Sequence, residues 1–204
     1  MKTVKLNVRR LTLVILVVTA IFAVSCNKED DFVPPQKVAA SQDAELKSGR
    51  SVAPGDKSIA AIAIDAGFSE LVGALIYVDG ELETGLVNLF LNGTDQYTVF
   101  APTNEAFFAL YSALGVNGIT DLPAELVRDV LFYHVTEGRR AANSVVPRNG
   151  TRSISTLLSG ATFSVDTAGM IMAVGNTATI AVPNISASNG IIHVIDTVIL
   201  PVQV

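Results

Sequence analysis

Cysteine and histidine are the side chains most often recruited as nucleophile, base or metal ligand near neutral pH. This chain of 204 residues holds one cysteine and two histidines. Cys26 stands near the N-terminus, and His134 and His193 stand far apart in the body. A nucleophilic triad needs a base beside a serine or cysteine and a third group to orient it. With its cysteine in the leader region, the body has no thiol for a histidine to activate. A lone cysteine also allows no intrachain disulfide and no cysteine-based metal site. No G-x-S-x-G turn, H-E-x-x-H helix or phosphate-cradling glycine loop occurs in the chain. We therefore expect no catalysis, no metal and no cofactor, although paired carboxylates brought together only by folding are invisible at this level.

The position of Cys26 points to a different chemistry. Lys2, Lys5, Arg9 and Arg10 precede an apolar run of 14 residues from Leu11 to Val24, followed by Ser25. A charged start, a short apolar core and a small residue before the cut make a signal peptide. Spanning a bilayer takes about 20 apolar residues, so the run is too short for a transmembrane helix. Ala23-Val24-Ser25-Cys26 resembles a bacterial lipobox, with Ala23 where Leu, Val or Ile is common. The resemblance implies that Cys26 becomes the lipidated first residue of the mature chain, and two acyl chains suffice for stable membrane attachment. Asn27-Lys28-Glu29-Asp30-Asp31 follows at once. An acidic run in that place resembles the surface-export signal of lipoproteins in the Bacteroidetes group. The expected location is the outer membrane, exposed at the cell surface, with the periplasmic face as the alternative.

Without its first 25 residues the chain carries ten basic against nineteen acidic residues, a net charge of −9. Phosphate binding needs clustered Lys and Arg, so nucleic acid is not an expected partner. Half of the residues are hydrophobic, enough to bury a core. The expected organisation is a leader over 1–25, a flexible tether over 26–54 punctuated by Pro34-Pro35, Ser48-Gly49 and Pro54-Gly55, and one domain over 55–204. At roughly 3.3 Å per residue the extended tether reaches several tens of ångströms.

Within the domain, helical patterns come first and strand patterns later, which is an α+β order. Lys57 to Ala66 reads as a helix with Ser58 as its N-cap, and Gly67 as a break. Phe68, Leu71, Val72, Leu75 and Ile76 fall on one helical stripe, as do Phe107, Leu110, Tyr111 and Leu114, and again Leu126, Val127, Val130 and Leu131. Tyr97 to Ala101, including Thr98 and Phe100, reads as a central strand because both of its faces are apolar. Pro102 is expected to stop ladder pairing, Thr103 to cap the helix that follows, and Asn104 to cap or bridge loop backbone. From Thr151 on, short β-rich segments separated by turn residues read as a meander. Asn189-Gly190 signals a turn into a long strand from Ile191 to Leu200. His193 lies in that strand, where a lone histidine is expected to be a satisfied core residue, and Asp196 is expected to bond a nearby turn.

Tyr97–Phe107 resembles the first signature motif of fasciclin-type domains, and Asn189–Pro201 resembles the second. The resemblance covers about Lys57 to Val204. It implies a wedge with a β-sandwich core and a helical layer packed at one side, and a non-catalytic adhesion or interaction module. The expected partner is a protein or glycan; a structural envelope component and a binder of a small apolar ligand are the alternatives. Tyr133-His134 resembles the family's central tyrosine–histidine motif, which implies partner contact in some animal members; a histidine satisfied by backbone at a helix-to-strand junction is the competing reading. Val182-Pro183-Asn184-Ile185 lies where some animal members carry an acid-Pro-Asp-Ile sequence. Val182 and Asn184 replace the acids, so an integrin's metal ion has no carboxylate to bind. Tyr133, His134, Asn184 and Ile185 stand as the candidate partner-contact residues.

Overall fold

The computed structural model of the protein describes residues 53–203. The leader, Cys26 and nearly all of the expected tether lie outside them. Among the described residues no helix is long and apolar enough to cross a membrane.

Three helices open the domain: α1 (Ile59–Asp65), α2 (Ser69–Leu82) and α3 (Leu86–Asn92). Ser58 caps α1 by accepting the Ala61 N–H, and Gly67 turns the chain at φ +76°. The α2–α3 corner is fixed by Asp79, whose carboxylate accepts the N–H groups of Leu86 and Val87, both at 2.8 Å. These two donors sit at a helix start with no intrahelical partner, which is why a carboxylate is favourable there. Its acidity is accordingly strengthened: burial pushes this carboxyl up, but the bonds from Thr84, Val87 and Leu86 outweigh it.

Strand β1 (Tyr97–Pro102) leads into α4 (Asn104–Leu114), a short 3-10 turn (Ile119–Asp121), α5 (Ala124–Tyr133), β2 (Val135–Glu137) and a single helical turn, α6 (Ala142–Val145). The remainder is β3 (Arg152–Ser155), β4 (Thr162–Val165), β5 (Met170–Met172), β6 (Thr177–Ala187) and β7 (Gly190–Ile195). The seven strands form one mixed sheet in the order β2-β1-β7-β6-β5-β4-β3. β1 and β7 run parallel, with Phe100 opposite His193, and the meander from β3 to β7 is antiparallel. The Leu157 N–H, just past β3, reaches the Val135 carbonyl of β2 at 2.8 Å. The two edges of the sheet therefore approach each other. The expected sandwich is a single strongly curled sheet, nearly a barrel, and β6 serves both halves of it by pairing with β5 at one end and β7 at the other.

The alternation of side chains along β1 and β7 creates two cores. Val99, Ala101 and Ile192 face the helices and join Leu71, Ala74, Phe107, Val127 and Leu131. Phe100 and Ile195 face the interior of the curled sheet with Tyr133, Phe163 and Ile171. Phe163 meets Phe100 edge-on at 5.0 Å and Tyr133 edge-on at 5.8 Å, a geometry that aromatic quadrupoles favour. Both faces of the central strands are thus buried, as their composition requires.

Three expectations shift. The α2 stripe is Leu71, Ala74, Leu75 and Val78, while Ile76 is 58% exposed; Phe68 precedes the helix, so a stripe counted from it is rotated toward solvent. Pro102 does not end the pairing: it lies opposite Ile195, and Thr103 N–H still donates to the Ile195 carbonyl at 3.2 Å. A parallel strand alternates the side to which its groups bond, so a missing donor at one residue need not break the ladder. The final strand ends at Ile195 rather than Leu200. The segment beyond it is apolar because it packs against the helices, with Val198 and Leu200 in the helical core.

Candidate functional site

His134 is the residue that ends α5, and its ring is 2% exposed. Its Nδ1 bonds the Val130 carbonyl at 2.7 Å, and its Nε2 accepts the Ile199 N–H at 3.0 Å. The acceptor role of Nε2 places the proton on Nδ1, which donates. The His134 carbonyl accepts the Phe100 N–H at 2.9 Å. One residue therefore joins helix end, central strand and C-terminal segment. His193, fully buried, carries the opposite tautomer: Nδ1 accepts the Asn184 N–H at 3.2 Å, so Nε2 holds the proton and donates to the Arg140 carbonyl at 2.9 Å. Burial pushes both imidazoles down to about 4, against the opposing pull of their carbonyl partners. Neither ring has a free nitrogen to offer a substrate or an ion.

The segment between β2 and α6 is held by residues of both sequence motifs. Thr98 Oγ1 donates to the Gly138 carbonyl at 2.7 Å and accepts the Arg140 N–H at 2.8 Å. His193 holds the Arg140 carbonyl. Asn184, at φ +64°, accepts the Ala142 N–H on its Oδ1 at 2.8 Å. Asn184 occupies the irregular stretch of β6 where pairing with β7 shifts between Val182 and Ile185. A short polar side chain tolerates the left-handed region there better than a bulky one. Ile185 is half-buried against the helical core.

The remaining motif residues also fasten backbone. Thr103 caps α4 through the Ala106 N–H. Asn104 bridges the α1–α2 connection, accepting the Glu70 N–H at 3.1 Å and donating to the Gly67 carbonyl at 2.9 Å. Asp196 accepts the Thr179 N–H on β6 at 2.8 Å, so it binds a distant strand rather than a nearby turn. Tyr133 is fully enclosed, and its hydroxyl donates to the Thr162 carbonyl at 2.9 Å. Of the four candidate contact residues, Tyr133 and His134 are thus out of a docking partner's reach in the folded domain, and Asn184 and Ile185 are partly accessible.

Arg139 was not singled out by its sequence. Its guanidinium donates to the carbonyls of Ala187 at 2.8 Å and Ala53 at 2.9 Å, and also to Gly190 O and Ser186 Oγ. It clamps the incoming chain to the β6–β7 hairpin. Its sequence signal is weak, because any arginine can play such a part.

The helical layer encloses two recesses. The larger, of about 240 Å3, lies under α2, α4 and α5 and is lined by apolar side chains and His134. The smaller, of about 60 Å3, lies between α1, α2, α3 and α5. It is bordered by Ile64 and Leu91, which are 59% and 40% exposed. Leu71, Leu131 and His134 line both recesses. Among the described residues no group of three His, Cys, Asp or Glu is arranged to hold a metal ion.

The family model of the fasciclin domain matches residues 66–201. This chain belongs to the fasciclin domain family. Fasciclin domains are in general adhesion and interaction modules. Protein sll1483 of Synechocystis is 33% identical over 173 residues, covering 83% of this chain and 88% of that protein. Immunogenic protein MPB70 of Mycobacterium bovis is 35% identical over 136 residues, covering 65% of this chain and 64% of MPB70. Cell surface glycolipoprotein MPB83 of Mycobacterium bovis is 36% identical over 111 residues, 54% of this chain and 46% of MPB83. The matched residues take in both histidines, Thr98, Asn104, Asn184 and Asp196.

Proposed function

We propose that this fasciclin-domain chain is a non-catalytic interaction module, held outside the inner membrane by lipid on Cys26, that engages a protein or glycan partner through its helical layer. One observation carries the choice of surface. The motif residues are spent on backbone inside the domain, whereas the recess between α1, α2 and α3 is bordered by exposed Ile64 and Leu91. Exposed apolar side chains grouped around a depression mark contact surfaces more often than isolated ones do. The anchor reading rests on the Ala23–Cys26 sequence and on the acidic residues behind it, and MPB83, by its name, is a cell-surface glycolipoprotein. The surface-exposed outer membrane is the location that this reading favours, with the periplasmic face as the alternative.

The test is an array of matrix proteins and glycans probed with the chain from Asn27 on. Saturable binding that is lost in Ile64→Asp and Leu91→Asp variants of unchanged melting temperature supports the reading. Absence of any saturable partner, or binding indifferent to both variants, contradicts it.

A further inference from the structure

The larger recess differs from an ordinary packing defect in three respects. Its volume is about 240 Å3, where an apolar cavity of about 150 Å3 already stays dry and takes up benzene. Its lining is hydrocarbon apart from His134, whose two ring nitrogens are already bonded to backbone. No polar group is therefore left to hold water inside. It also has an apolar mouth: Leu114, Leu126 and Val202 line it and are 38%, 39% and 48% exposed.

Polar groups lie beside the mouth. Leu126 and Val202 also line a shallow groove of mixed character beside β4, where Asp129, Ser159 and Thr162 stand among apolar Leu158, Ala161, Val174 and Pro201. The charged side chain in that lining is the Asp129 carboxylate, paired with Arg128 at 2.8 Å. A wholly apolar chamber beside a groove that carries hydrogen-bonding side chains suits a molecule with one hydrocarbon tail and one polar head. Among the described residues the lining holds no Lys or Arg to receive an anionic head, whereas Asp129, Ser159 and Thr162 offer acceptors to a head that donates hydrogen bonds.

We propose that the recess under α2, α4 and α5 binds the tail of a single-chain neutral amphiphile, with a hydroxyl-bearing head of the monoacylglycerol kind lying in the groove of Asp129, Ser159 and Thr162. In proportion to benzene in its smaller cavity, the chamber accommodates a tail of about ten carbons. The two recesses share a wall of Leu71, Leu131 and His134, but Leu126 lines only this one and Ile64 and Leu91 only the other, so the variants at those positions tell failure of one reading from failure of the other.

The test uses the chain from Asn27 on, freed of bound lipid, and monoacylglycerols below their micelle concentrations, followed by calorimetry and native mass spectrometry. The expected result is one monodecanoylglycerol per chain. Affinity rises from the hexanoyl to the decanoyl compound and levels off beyond. Decanoate, with the same tail and an anionic head, binds about tenfold more weakly or worse. Leu126→Arg at the half-exposed mouth weakens binding by a similar factor, whereas Val182→Arg, equally exposed on β6, does not. Absence of a one-to-one complex overturns the site, as does affinity that keeps climbing through the tetradecanoyl compound or is untouched by Leu126→Arg. Equal binding of decanoate overturns the placement of the head. The chain-length series needs no variant and so remains decisive if one fails to fold.

Discussion

The ring of His134 accepts a hydrogen bond from the backbone of Ile199, at 3.0 Å and across 65 positions of sequence. The same ring reaches back to Val130 one turn earlier. It thereby ties the C-terminal segment to the end of α5, the helix that forms one wall of both apolar recesses. Replacing the ring leaves the buried Ile199 N–H without a partner, costing on the order of 1–3 kcal/mol, and opens a cavity where the ring was; the Val130 carbonyl keeps the backbone N–H of position 134 at 3.2 Å. His134→Ala is therefore expected to destabilise the domain by at least about 2 kcal/mol, measured as a lowered urea midpoint. An unchanged midpoint contradicts the clamp.

Acid should weaken the domain through the same two rings. Burial holds His134 and His193 at about 4, below the ordinary 6.5. Each stays neutral in the folded chain down to about pH 4, while the unfolded chain takes up a proton near pH 6.5. Below that value the unfolded state binds more protons, so stability falls as pH drops from about 6.5 to about 4 and then levels off with respect to these groups. The full effect is on the order of 3 kcal/mol for each ring. Urea unfolding at pH 7, 6 and 5 measures the slope in a range where most carboxylates remain ionised. A flat profile, or an unchanged slope in His193→Gln, contradicts the assignment.

Much of this arrangement was legible in the sequence, and the reasons are local. Ser58 and Thr103 mark helix starts because orphaned N–H groups there demand a side-chain acceptor. The two-sided apolar pattern of Tyr97–Ala101 and Ile191–Leu200 called for central strands; both strands are central, although the second ends at Ile195. The loop contacts were not legible, because they join residues distant in sequence. Nothing around Thr98 announces that its hydroxyl holds Gly138 and Arg140, 40 and 42 positions away. The recesses were equally hidden: Leu114 and Leu126 fit helical stripes, and only the tertiary packing of α4 against α5 leaves a space between those stripes and a mouth at their ends.

Asn184 tests whether the irregular stretch of β6 depends on backbone freedom or on a side-chain bond. At φ +64° a β-branched residue is strained, by about 1–2 kcal/mol. Asn184→Val loses both the Ala142 bond and the easy conformation, whereas Asn184→Gly loses only the bond. The expected order of stability is wild type, then Gly, then Val, read from thermal melts. Equal melting temperatures for the Gly and Val variants contradict the conformational half of the argument.

Arg139 predicts a local effect rather than a global one. Its guanidinium and the Gly55 N–H, which donates to the Ala187 carbonyl at 3.2 Å, fasten the incoming chain to the β6–β7 hairpin. Arg139→Met should raise amide exchange at Gly55 by about tenfold or more while core amides of β1 and β7 change less. Uniform acceleration across the domain contradicts the local clamp and makes Arg139 part of the global fold.

The proposal of a tethered module outside the inner membrane meets its most direct test at Cys26. Cells carrying the wild-type chain and a Cys26→Ala chain are fractionated, and intact cells are exposed to protease. The account predicts that the wild-type chain stays with the outer membrane and is cut from outside, and that the Cys26→Ala chain leaves the membrane fraction. A Cys26→Ala chain that remains membrane-bound contradicts it.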